Sequence, residues 1–561
     1  MSNGQSSTAE QSCTTHQKYD PQQISDRTFF MDASNQNLAT IPSEILELQE
    51  LEEVHLENNE IAEIPPNIQC LKNVKILYLN KNKLSKLCPQ LTKLDNLEDL
   101  DLSDNPLLPS SLLVVSSLRA LRQLRLYRTH LREVPIKICK LLHHLELLGL
   151  SGNYLKSLPM EIVNQTKLRE IYLKQNQLEA FPLELCVLYN LEIIDLDENR
   201  LTAIPEEIGN LTSLQKFYVA HNSLYALPES LCRCSKLSVL DLSHNRLHFI
   251  PHTLEELSEM TEIGLSGNPL EKVPRLVCRW TSLHLLYLSN IGLHVLRRSF
   301  WRLVNLRFLD LSQNHLESCP SQICTLKKLE ILALDDNKIQ QLPSDFGSLS
   351  KLKMLGLTGN QYLSFPEEIF SLESLEKLFI GQDQGVKLTY VPDHIGKLQN
   401  LKELYIENNH LEYLPVALGS MPKLEILDCR NNLLKQLPDA ICQAQALKEL
   451  LLDDNLLTQL PEDLDCLVNL KVLTLLDNPM EEPPVEVCIQ GKEAVFTYLK
   501  EKREMKIFAT KIQAWWRGML VRKGLGKLDE LLKLRKKGKN SPKDKKGKKD
   551  AKGKPVKEKK K

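Results

Sequence analysis

From residue 29 onward the apolar positions follow one order. Leu51, Val54, Leu56, Asn59, Ile61, Ile64 and Pro65 stand at the same offsets as Leu191, Ile194, Leu196, Asn199, Leu201, Ile204 and Pro205, giving the template LxxLxLxxNxLxxLP. The Asn slot recurs 20 times, from Gln36 to Asn478, with Asn in 16 slots, and 16 of the 19 spacings are 23 residues. A register this regular predicts a stacked array in which no turn hides its apolar face alone. Within each turn, alternation such as Ile194-Asp195-Leu196 predicts a short strand with Ile and Leu inward and Asp outward. Parallel stacking at about 4.8 Å per turn gives an arc on the order of 90 Å. Behind each strand the chain turns inward and buries backbone groups that have no ladder partner. The Asn side chain both donates and accepts, so it can satisfy them. After the Pro, Ile208, Leu211 and Leu214 come at intervals of three, which predicts a 3₁₀ or loosely helical segment on the far side.

The period breaks in a few places. Thr129, Ile291 and Asp383 occupy Asn slots, Arg297 stands where Pro is expected, and the turn after Asp383 carries three extra residues within 384–390. Such breaks are either local tolerance or a protruding contact loop. The template, with LPxxI after each strand, resembles the short intracellular class of leucine-rich repeats over residues 29–490. That resemblance implies an α/β fold, a right-handed leucine-rich-repeat solenoid with a parallel β-sheet on its concave face and short 3₁₀ or helical segments on its convex face.

Positions two, four and six before each Asn slot should face the concave side. The middle row is chemically uneven, with acids and aromatics interspersed at Tyr172, Asp195, Tyr218, Asp241, Tyr287, Asp310, Phe379 and Tyr405. Aromatics set among charge have the composition of a protein-binding surface; the plainer reading is strand-compatible and solubilising residues. The acidity of the row disfavours nucleic acid, whose phosphates it would repel.

After the last repeat, the apolar spacing from Val485 to Leu499 predicts a helix that closes the open end of the core. Beyond it, Ile512-Gln513-Ala-Trp515-Trp516-Arg517-Gly518-Met519-Leu-Val-Arg522 matches the IQ consensus IQxxxRGxxxR. On a helix Phe508, Ile512, Trp515 and Met519 share one stripe, flanked by Arg517, Arg522 and Lys523, a basic amphipathic pattern suited to the groove of an EF-hand lobe. The IQ resemblance implies calmodulin or a related EF-hand protein as partner, Ile512 anchoring in the lobe, Gln513 bonding to it, and Arg517 and Arg522 meeting its acidic rim. The alternative is a basic, Trp-rich helix packed on its own solenoid or on a membrane surface. Calcium dependence stays open, because Phe508, Ile512, Trp515 and Val521 also fit a calcium-dependent anchor spacing. The combined architecture is similar to the leucine-rich repeat and IQ domain-containing proteins, a resemblance that supplies no catalytic residue.

Charge sharpens this division. From Lys500 onward there are 25 Lys and Arg against 7 Asp and Glu, which leaves 46 basic and 65 acidic residues in positions 1–499. The chain is thus an electrostatic dipole, +18 at one end and −19 over the rest. Its expected organisation is a disordered N-terminal segment (1–28), a solenoid of about 20 turns (29–490), a capping and linking helix (485–505), an IQ-motif helix (506–536) and a disordered Lys-rich tail (537–561). That tail is a candidate contact for acidic proteins, nucleic acid, anionic lipid or the solenoid itself. A polar N-terminus and the lack of any long apolar run point to a cytoplasmic protein with no membrane span. Nine of the cysteines, including Cys70, Cys139, Cys186, Cys466 and Cys488, follow a repeated Pro by four or five residues, which predicts a buried thiol slot and no metal. Without a phosphate loop, a nucleophile elbow or HExxH, neither enzyme nor cofactor is expected. The reading is an intracellular scaffold that joins a protein on the concave face to calmodulin or an EF-hand light chain. The alternative is a solenoid that regulates a phosphatase or small GTPase.

Overall fold

The structure, a computed structural model, describes residues 29–523. The expectations for 1–28, for the far end of the IQ helix (524–536) and for the tail at 537–561 lie outside these residues.

Each repeat folds as its apolar spacing requires. In the one beginning at Leu191, Ile193–Asp195 is a three-residue strand and Glu206–Asn210 a 3₁₀ turn. Leu191, Ile194, Leu196, Leu201, Ile204, Ile208, Leu211 and Leu214 are all buried between them. Pro205 holds extended backbone at the start of the turn, and the three-residue spacing of Ile208, Leu211 and Leu214 keeps their side chains on one side. Among the described residues, twenty such strands, from Phe30–Asp32 to Val472–Thr474, form one parallel sheet in which each strand pairs with the next. The register advances by one repeat, so Tyr172 lies opposite Asp195, Asp195 opposite Tyr218 and Tyr218 opposite Asp241.

The Asn side chains join neighbouring repeats. Asn199 Nδ2 donates to the Leu173 carbonyl of the preceding repeat at 3.0 Å and to Leu196 at 3.1 Å, while its Oδ1 accepts the Leu178 amide at 3.1 Å. Where Thr129 replaces Asn, its hydroxyl donates to the Leu126 carbonyl at 3.0 Å; the Ile291 side chain bonds nothing, and only its backbone takes part, the amide donating to Asn314 Oδ1 at 3.1 Å and the carbonyl accepting the Glu271 amide at 2.8 Å. Asp383 does not fill its expected slot. It is exposed, and the side chain buried there is Gln382, one position earlier. A carboxylate in that place would be a buried charge, whereas Gln382 is neutral; its side-chain oxygen and nitrogen are both buried and make no hydrogen bond there, unlike the Asn of the regular repeats. The extra residues of 384–390 are tied to both neighbours rather than left free, with the Val386 amide donating to the Asn360 carbonyl at 3.0 Å and Lys387 Nζ to the Asn408 carbonyl at 2.6 Å.

The thiol slot is also less uniform than its spacing predicts. Cys139, Cys186, Cys278, Cys324 and Cys442 are buried, but Cys70, Cys232 and Cys488 are half-buried and Cys466 is exposed. Cys70 and Cys466 come five residues after Pro rather than four, which rotates them toward the outside of the turn. Burial pushes the Cys139 thiol up to about 12.

Candidate interaction surfaces

The strand face carries the middle row as one continuous line across paired strands. Tyr172, Asp195, Tyr218 and Asp241 are successive members; Gly264 follows, then Tyr287 and Asp310. Further on, Gly356, Phe379 and Tyr405 are neighbours in the same way. A Cβ at Gly264 would meet the Asp241 carboxylate and one at Gly356 the Asp335 carboxylate, so a larger residue at either position would displace an acid of this face. All five aromatics of the row are half-buried. The Tyr172 hydroxyl donates to Glu170 at 2.8 Å and that of Tyr405 to Glu403 at 3.2 Å. Phe379 stacks on Tyr405 with ring centroids 4.5 Å apart.

The row aspartates also hold the backbone. Asp195, Asp241 and Asp310 each accept the amide two residues ahead, at 3.1, 3.0 and 2.9 Å. This turn role is one that the spacing did not announce. Two aromatics beside the row escaped the sequence reading: Tyr127, whose ring meets that of Tyr172 at 6.4 Å, and Phe308, 4.7 Å from Tyr287. Both sit at strand-face offsets from their Asn slots, but in rows where a lone aromatic carries no pattern. Carboxylates crowd the same face. Burial first, and repulsion from Asp195 second, push Asp197 up to about 7; burial likewise takes Asp335 to about 6. A surface of half-buried rings between carboxylates offers apolar area, hydrogen-bond acceptors and negative charge to a partner.

The second surface is the terminal helix, Lys492–Arg522. It is one continuous helix, preceded by the single turn Val485–Cys488, where the sequence divides at 505/506. Its first half docks on the open end of the solenoid. Val495 and Leu499 are buried, and Lys492 Nζ donates to the Leu470 carbonyl at 3.0 Å. Arg503 bonds Asp463 at 2.8 Å and Asp465 at 2.6 Å, Lys506 bonds Glu462 at 2.6 Å, and Lys502 pairs with Glu482. At 100° per residue, Val495, Leu499, Arg503 and Lys506 define the docked side. Phe508, Ile512, Trp515 and Met519 then centre about 165° away from it.

The stripe is therefore turned off the solenoid. Phe508, Ile512, Trp515 and Trp516 are all more than half exposed, and Gln513, Arg517 and Arg522 are exposed beside them, with Gly518 and Met519 half-buried. Arg522 borders the stripe as expected, but Arg517 does not flank it. Nine residues beyond Phe508, it projects from the opposite side of the helix. The rise from Leu499 to Ile512 is about 20 Å, which carries the stripe clear of the last repeat.

Residues 49–107, 166–224 and 212–270 match the leucine rich repeat, 267–392 match a leucine-rich repeat region, and 399–441 match two further copies. Residues 507–525 match the IQ calmodulin-binding motif. Leucine-rich repeat and IQ domain-containing protein 4 of Mus musculus is 75% identical over 545 residues, covering 97% of this chain and 91% of that protein. The protein of the same name from Homo sapiens is 75% identical over 552 residues, covering 98% and 99%. Among solved structures, the plant peptide hormone receptor RGFR1 in complex with RGF2 is similar at a TM-score of 0.54 and 27% identity, covering 79% of this chain and 77% of that one. A TDR receptor shares the fold at a TM-score of 0.50 and 24% identity, covering 81% of each.

Proposed function

Because the chain belongs to the family of leucine-rich repeat and IQ domain-containing proteins, we propose that it is a non-enzymatic adaptor with two separate docking sites. The strand face holds a basic or mixed protein partner through Tyr172, Asp195, Tyr218, Asp241, Tyr287, Asp310, Phe379 and Tyr405. The terminal helix holds calmodulin or a related EF-hand protein through the stripe of Phe508, Ile512, Trp515 and Met519, with Arg522 toward the acidic rim and Arg517 on the far side of the helix. One observation carries this reading: the helix is fixed to the solenoid by its other side, so its apolar stripe and both tryptophans stand in water. A surface-bound or self-packed helix would cover that stripe. Burying Ile512 and Trp515 in an EF-hand lobe contributes about 3 to 5 kcal/mol before ordering costs, enough for useful affinity once the charged rim adds to it.

Titration of calmodulin into the full chain, with and without calcium, followed by tryptophan fluorescence, tests the helix site. Binding is expected in at least one state, and Ile512→Asp should weaken it by about 2 kcal/mol or more, since it places a charge in the apolar groove. Absence of binding in both calcium states, or equal binding by the variant, would remove the assignment. For the strand face, replacing Tyr172, Tyr218 and Tyr287 together with Ala should cost a proximity-labelled partner its labelling while circular dichroism stays unchanged.

A further inference from the structure

Along most of the solenoid, cations lie beside acids one repeat away. Lys75 pairs with Glu52 at 2.7 Å, Arg169 with Glu192 at 2.6 Å, Lys353 with Glu330 at 2.8 Å and Lys448 with Glu425 at 2.7 Å. One stretch abandons this arrangement. Between Glu271 and Asp310 the chain has no acidic residue and seven Lys or Arg, within a region 1–499 that is otherwise strongly acidic. Six of the seven are Arg.

The fold gathers five of them. Two adjacent 3₁₀ segments, Arg275–Arg279 and Arg298–Arg302, sit side by side on the side away from the strands. Arg275, Arg279, Arg297, Arg298 and Arg302, with Ser299, line one depression of about 370 Å³. Arg297 is the residue that replaces the repeat's Pro, and its Nε donates to the Val273 carbonyl at 3.0 Å, which holds the side chain over the seam between the two repeats. Arg302 lies 5.8 Å from the exposed Trp301 ring. Among the described residues none of the five makes an ion pair, and Arg275, Arg279, Arg298 and Arg302 are exposed.

Five guanidinium groups around one small hollow repel one another, and nothing in the repeat template asks for them. The arrangement becomes favourable once a compact anion of high charge enters, because each planar fork matches two phosphate oxygens. We infer that this depression binds clustered phosphate monoesters, carried either by a soluble polyphosphorylated small molecule or by a phosphorylated lipid headgroup. An acidic peptide fits less well, since a chain leaving the hollow toward the preceding repeat would meet Glu255, which lines the adjoining depression.

The basic C-terminal segment of the full chain also attracts polyanions, so the readout must resolve single residues. Phenylglyoxal modification of the full chain at about 0.15 M salt, mapped by mass spectrometry, does so. Inositol hexakisphosphate should slow modification of Arg275, Arg279, Arg298 and Arg302 by about fivefold or more while leaving exposed Arg119 and Arg246 unchanged. Vesicles of phosphatidylcholine with phosphatidylinositol bisphosphate form the second arm. Stronger protection by the vesicles assigns the lipid headgroup, and stronger protection by the free compound assigns the soluble ligand. In a second preparation Arg275, Arg279, Arg298 and Arg302 are all changed to Gln and Arg297 is left as reporter. The ligand concentration that protects Arg297 should then rise about tenfold. No protection in either arm, protection spread evenly over all exposed arginines, or equal protection by heparin at the same charge concentration would overturn the site.

Discussion

At the scale of single residues, Asp197 is where the strand face is under most electrostatic tension. Its side chain is only 14% exposed, and burial together with repulsion from Asp195 pushes it up to about 7, although the Ala220 amide donates to it at 2.7 Å and Lys174 lies 3.9 Å away. A carboxyl raised in the folded state keeps its proton there after the unfolded chain has ionised. The folded state therefore binds more protons between about pH 4 and pH 7, and stability falls as pH rises through that window. Below it the penalty is absent; above it the penalty is complete. Asp197→Asn retains an oxygen for the Ala220 amide and removes the charge. The shift corresponds to about 4 kcal/mol at most, and solvent and Lys174 screen part of it, so a gain of about 1 to 2 kcal/mol near pH 8 is expected. Near pH 4.5 the variant should match the parent within about 0.5 kcal/mol. Thermal melts at the two pH values decide it, and equal effects at both would contradict the account. Residue identities at the Asn slots were legible because repetition averages out local noise. Gln382 was not, since an insertion shifts the slot by one, and neither was the backbone-holding role of Asp195, Asp241 and Asp310, which depends on turn geometry rather than on residue type.

At the scale of elements, the strands and 3₁₀ turns follow directly from spacing, because each is three to five residues long and placed by its own repeat. The terminal helix was only half legible. Its composition predicts helix, and between Leu499 and Phe508 the run Lys-Glu-Lys-Arg-Glu-Met-Lys-Ile contains no Gly or Pro to break it, so linker and IQ motif form one rod. Its docking was not legible, since the acids that hold Arg503 and Lys506 lie at 462–465, about 40 residues upstream, and come near only when the last repeat has folded. Arg503→Glu sets a carboxylate against Asp463 and Asp465 and should release the first turns after Leu499, seen as faster tryptic cleavage at Lys500 and Lys502. Calmodulin affinity should change by less than about threefold, because the stripe is on the other side of the rod and makes no use of the dock. A tenfold loss of affinity would mean that the solenoid end forms part of the calmodulin site.

At the scale of the whole molecule, a stacked array transmits energy mainly to the next repeat, since each repeat buries its apolar face only on its neighbours. The strand face at 170–310 is separated from the IQ stripe by seven strands of the sheet, from Ile331–Ala333 to Val472–Thr474, and Tyr405, the last residue of the row, by three. Calmodulin bound at 507–525 should therefore stabilise the helix and the last repeat it rests on, and little else. Its binding ties down a rod that Val495, Leu499 and Arg503 connect to residues 462–470, so protection gained at the helix passes into that contact. Hydrogen exchange on the full chain with saturating calmodulin should show slowed amides within 495–523 and, more weakly, within 460–480. Peptides from 170–310 should change by less than about 0.3 kcal/mol in opening free energy. That outcome makes the two sites independent, so that one chain can hold both partners at once with neither altering the other's affinity. Slowed exchange at Tyr172, Tyr218 or Tyr287 would instead reveal coupling along the array, and the protein would be a calmodulin-controlled switch rather than a passive bridge.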